Sequence, residues 1–210
     1  VQTSAEVYGR QMFVANRFDL AAMPLDSGQT QWTQRVMAPG SDPAQQWPLV
    51  PMTPVAAGGR VFVRRLTKEG PELMCLEAAD GKVLWDVKPD GYVASDPLFI
   101  GQKLLVLTAT PEAPEKIALS LVSVAPSSGR VRSRVPLVEF RDLWNHQLPC
   151  LASAADDWIV ANVGASVLCC DSTGRVQWLR RQIWVSPPPG DPSVARPWVE
   201  QLPQPPLIAG

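Results

Sequence analysis

The chain has 210 residues, 46% hydrophobic and 19% charged, with a formal net charge of −1. That content can bury a sizeable core, while balanced and dispersed charge leaves no concentrated basic face for nucleic acid. No apolar run reaches the roughly 18 residues of a membrane-spanning helix, and proline, at 22 residues, stands at about twice the usual ~5%.

Taken from its start, "VQTSAEVYGR" has neither an initial Met nor the charged-then-apolar layout of a secretion signal. A leader or a longer upstream segment is therefore expected to have been removed. "EVYGRQMFVANR" reads as the second strand of a unit, with no first strand ahead of it. "LDSGQTQW" follows, with a tight turn at Gly28 and a closing strand at Trp32. A Pro-containing connection from Met37 to Pro51, carrying Trp47, leads to the next unit. There the predicted strands are 53–56, 60–65, 73–78 and 82–87, with Gly58-Gly59 and Asp80-Gly81 as hairpin turns and Trp85 at the close. The third unit repeats the pattern over 96–102, 103–109, 117–126 and 130–137, turning at Ser128-Gly129. The fourth does so over 148–157, 158–164, 166–172 and 175–181, turning at Thr173-Gly174 and closing on Trp178. A Pro-rich stretch with Trp184 and Trp198 then ends in "QPPLIAG", which matches the first strand of a further unit.

Four glycines set the phase. Gly28, Gly81, Gly129 and Gly174 lie 53, 48 and 45 residues apart, and the residue four positions on is Trp32, Trp85, Ser133 and Trp178. Strand units at such a period mean a propeller or a related array. Hairpin-linked sheets of four strands cannot bury both faces or hide their edges alone, and a radial arrangement solves both problems. The fold class read from this is all-β, a β-propeller of about four four-stranded antiparallel blades. The units are placed at about 1–36, 51–88, 95–137 and 148–182, with a connection at 183–205 and the first strand of a next blade at 206–210. Both ends stop on an apolar strand wanting a neighbour. Two readings fit: a four-bladed ring closed by pairing the C-terminal strand with the N-terminal blade, or, the one favoured, part of a seven- or eight-bladed ring completed by missing blades or by another copy.

The repeats resemble those of the quinoprotein-dehydrogenase-like (pyrroloquinoline quinone repeat) β-propeller superfamily. The residues that carry the resemblance are Asp26, Gly28 and Trp32; Glu77, Gly81, Lys82 and Trp85; Gly129 and Arg130; and Asp171, Gly174, Arg175 and Trp178. Gly59 to Val63 also fit. In that family the tryptophans dock between neighbouring blades, where a flat side chain fills a wedge between twisted sheets. The resemblance implies one of two functions. One is an enzyme holding pyrroloquinoline quinone with calcium; the other is a non-catalytic scaffold such as the bacterial outer-membrane assembly propeller. The scaffold members are the closer match, which implies protein partners and a periplasmic or otherwise extracytoplasmic location.

The chain's own chemistry favours the scaffold. Cys169-Cys170 invites comparison with the vicinal disulfide over the quinone in methanol-dehydrogenase-like members, yet it falls inside a repeat strand and reads as core packing. Aligning acidic residues sets Cys169 against Cys75, whereas aligning glycines shifts the match by one. Cys75, Cys150, Cys169 and Cys170 lack metal-site spacing, and His146 is a lone histidine on a polar connection. Asp156-Asp157 reads as turn chemistry, and Asp90 with Asp96 does not space the oxygens calcium needs. No catalytic residue, cofactor ligand or metal ligand is assigned. Candidate partner-binding residues are Trp47, Trp184 and Trp198, aromatics on Pro-stiffened connections.

Overall fold

The computed structural model describes residues 3–41, 52–113, 116–141, 150–163 and 166–181. Every regular element among them is a strand. Blade 1 is β1 (Ser4–Tyr8), β2 (Gln11–Ala15), β3 (Asp19–Pro24) and β4 (Trp32–Arg35). Blade 2 is β5 (Val55–Ala57), β6 (Arg60–Thr67), β7 (Gly70–Glu77) and β8 (Val83–Val87). Blade 3 adds a short β9 (Tyr92–Val93) to β10 (Leu98–Ile100), β11 (Lys103–Ala113), β12 (Lys116–Val124) and β13 (Val131–Arg141). Blade 4 is β14 (Cys150–Ala155), β15 (Trp158–Val163), β16 (Ser166–Asp171) and β17 (Val176–Arg181). All four are antiparallel meanders, and the first strands β1, β5, β10 and β14 contact one another in turn.

Three cores lie between blades rather than within a two-layer stack. Phe13, Leu20 and Ala22 of blade 1 pack with Val61, Val63 and Met74 of blade 2. From the opposite face of blade 2, Phe62, Leu73 and Cys75 meet Leu104, Val106 and Val122 of blade 3. Leu105, Leu107 and Leu119 of blade 3 then meet Ile159, Leu168 and Cys170 of blade 4. Because successive residues of a strand point to opposite faces, the middle blades are buried on both sides. Thus β7 is buried along nearly its whole length and β6 over Val61–Arg64, whereas β15 alternates.

Blade 1 corrects one expectation. It is not a unit lacking its first strand: Ser4–Tyr8 pairs with Gln11–Ala15 around a turn at Gly9, whose φ is +62°. Glu6 and the half-buried or exposed positions disguise this strand, since no described blade packs against one side of it. The strands of blade 3 also run further than expected, to Ala113 and Arg141, forming a tongue beyond the length of its neighbours. The segments 42–51, 142–149 and 182–210, with Trp47, His146, Trp184, Trp198 and the expected strand at 206–210, lie outside the described residues.

Candidate functional site: the inter-blade joints and the blade 3 tongue

In blades 1 to 3 the hairpin before the closing strand is built the same way. The residue before the glycine accepts from the amide two positions on: Ser27 from Gln29, Asp80 from Lys82 and Ser128 from Arg130. The glycine takes φ of +63° to +87° across the four blades, a left-handed region that favours glycine. In blade 4 the turn closes from Gly174 to Asp171 rather than across one more residue, as it does at Gly81 and Glu77. That missing residue decides the cysteine alignment: Cys75 pairs with Trp85, and Cys169 pairs with Trp178. A register shift follows each pair, at Cys75/Leu76 and at Cys169/Cys170. Such bulges re-aim a strand, and here they lie beside the tryptophan.

The tryptophans then plug the next blade. Trp32 packs tilted against Phe13 with centroids 6.0 Å apart and donates its indole N–H to the Ala78 carbonyl of blade 2 at 3.0 Å. Trp85 packs tilted against Phe62 at 5.9 Å and donates to the Pro126 carbonyl of blade 3 at 3.1 Å. In both, the acceptor sits three residues before the turn glycine, and the ring lies over that glycine. A Cβ on Gly81 would come within 2.6 Å of Trp32, and one on Gly129 within 2.8 Å of Trp85. The glycine is thus required twice, for its φ and for the flat seat it gives the indole.

The third joint is made differently. Ser133 replaces the tryptophan, and Val135 fills the seat, with its Cγ1 2.7 Å from where a Gly174 Cβ would lie. A polar chain compensates: Lys103 of blade 3 donates to the Ser172 hydroxyl at 3.0 Å, and Ser172 bonds Asp157. Asp156 takes φ +53° in that turn, as its turn reading requires. Asp96, ahead of β10, accepts from the Arg64 guanidinium at 2.8 Å and from the Thr53 amide at 2.9 Å. This nearly buried ion pair ties blades 2 and 3 together. Asp90 instead pairs with Arg134, so the two acids serve separate structural contacts.

The cysteines are free and buried. Burial pushes the Cys75 and Cys170 thiols up to about 12, and raises Cys150 and Cys169 as well. A protonated thiol is a poor nucleophile and a poor metal ligand. Among the described residues, no three His, Cys, Asp or Glu side chains converge on a metal-sized point.

The tongue carries a groove. An open groove of about 710 Å³ runs along β12 and β13, past Ala118, Pro136, Leu137 and Val138. Arg134 lines one side of it, donating to Ser120 at 3.2 Å and Thr110 at 2.8 Å. At its rim Lys116 bridges Glu112 at 2.7 Å and Glu139 at 2.9 Å. The groove follows a second register shift at Leu119/Ser120, where Pro136 interrupts β13. Sequence reasoning missed this site; the extra residues between "KLLVLTA" and "IALSLVSV" were its one signal.

Residues 16–117, from the start of β3 to the start of β12, match the family model described as outer membrane protein assembly factor BamB, a PQQ-repeat model. The chain is a β-propeller of four antiparallel blades. Among solved structures it is similar to BamB from Moraxella catarrhalis, at 16% identity and TM-score 0.49, covering 81% of this chain and 49% of that one. It is also similar to the computationally designed Ika8 protein, at 8% identity and TM-score 0.52, covering 85% of this chain and 48% of that one. The chain therefore spans about half the length of these propellers. No curated protein matches it. Among the described residues no helix is long and apolar enough to cross a membrane.

Proposed function

We propose that this propeller is a non-catalytic binding module that presents its blade 3 tongue to a protein partner outside the cytoplasm. The carrying observation is the groove, an apolar floor at Leu137 and Val138 between the Lys116–Glu112–Glu139 cluster and the Arg134 network. Mixed apolar and charged lining suits a polypeptide, whose side chains supply both. The match to a family model described as an outer-membrane assembly factor supports the extracytoplasmic placement. Trp47, Trp184 and Trp198 on the connections belong to the same proposal as further partner contacts.

The test is photo-crosslinking in the cells that make the protein, with a photoreactive residue at Leu137 or, as a control, at the exposed turn residue Gln29. The expected result is a discrete protein adduct from position 137 in the periplasmic fraction, lost when Glu139→Lys reverses the rim charge. Equal adducts from both positions, or none from 137, would refute the tongue. The other family reading, a quinone-dependent dehydrogenase segment, is tested by titrating pyrroloquinoline quinone with calcium. A true site stabilises by about 2.7 kcal/mol at a hundredfold excess over Kd, and no stabilisation is expected.

A further inference from the structure

Blades 1 and 4 carry the two unmatched halves of the joint that locks the blades between them. On blade 4, Trp178 occupies the position of Trp32 and Trp85 but is 41% exposed. On blade 1, Gly28 is the equivalent of Gly81 and Gly129, and an added Cβ there would meet nothing within 4 Å. The carbonyl three residues before it belongs to Leu25, in the place that Ala78 and Pro126 hold for their indoles, and Leu25 is 51% exposed.

We propose that two copies of this chain associate head to tail, Trp178 of each seated on Gly28 of the other with its indole N–H donated to the Leu25 carbonyl. The plug and the seat are in the repeat's own register, so the contact continues a joint already made twice within the chain. Two such contacts related by a two-fold along the propeller axis close a ring, and closure is what separates a finite dimer from a filament. A second copy also covers the outward face of blade 4, where Trp158 is 45% exposed.

Sedimentation equilibrium of the full chain decides the matter, run for the wild type, Trp178→Ala and Gly28→Asn, with circular dichroism to check folding. Asn tolerates a positive φ, so Gly28→Asn fills the seat without breaking the turn. The wild type is expected at twice the 22.9 kDa chain mass. Each variant should raise the dissociation constant on the order of 1000-fold, since the dimer loses two hot-spot contacts. An equimolar mixture of the two variants should regain dimer in part, because one of its two joints is intact. The proposal is overturned by a wild type that stays at the chain mass up to about 100 μM, whether Trp178 is shielded by its own chain or seated on a blade outside these residues. It is equally overturned by a dimer that neither variant weakens.

Discussion

Replacing Gly81 by Ala separates the two demands on a turn glycine, because Gly28 makes one of them without the other. Gly81 and Gly28 have φ of +74° and +63° in equivalent hairpins. Only Gly81 faces an indole, with Trp32 carbons 2.6 Å from the would-be Cβ, while Gly28 faces open space. A left-handed Ala costs about 1 to 2 kcal/mol in either turn. At Gly81 the ring must also be displaced from its seat and its 3.0 Å bond to Ala78, an overpacking cost of about 1 to 3 kcal/mol. At roughly 2 to 4 °C per kcal/mol for a chain of this size, Gly81→Ala should melt some 2 to 12 °C below Gly28→Ala. Calorimetry at concentrations where the chain is monomeric measures the gap. A double-mutant cycle with Trp32→Ala should return that same extra cost as coupling. Equal melting temperatures, or an extra cost that survives without the indole, would refute the seat.

Ser133→Trp would restore the repeat, yet it should destabilise by about 1 to 3 kcal/mol in urea unfolding, because Val135 already fills the space over Gly174. Asp96→Ala should cost about 3 to 5 kcal/mol, since it leaves the buried Arg64 without its carboxylate and the Thr53 amide without its acceptor; a double change of Arg64→Met with Asp96→Ala should recover part of it. The thiols predict an alkaline weakness. With Cys75 and Cys170 raised to about 12 by burial and an unfolded value near 8.5, only the unfolded chain gains thiolate between those limits. Stability should be unaffected by these groups below about pH 8.5 and fall as pH rises above it. Urea midpoints at pH 8 and pH 10 check this, and Cys75→Val should lessen the fall.

The glycine phase, the hairpins and the strand order of blades 2 to 4 were legible in the sequence because they depend on local geometry. A left-handed turn needs Gly, a Ser or Asp before it closes the turn, and apolar periodicity marks a face. So Gly28, Gly81, Gly129 and Gly174 were placed correctly without knowing what lay across from them. What only the tertiary structure decided is which surface each residue meets. That Trp32 and Trp85 are seated, that Val135 substitutes for an indole, and that Asp96 and Asp90 part company for Arg64 and Arg134 all depend on residues 32 to 46 positions away, while the exposure of Trp178 and of much of β1 depends on what packs beside them. Local periodicity carries no information about distant surfaces, so burial at a blade's face is fixed by the blade beside it.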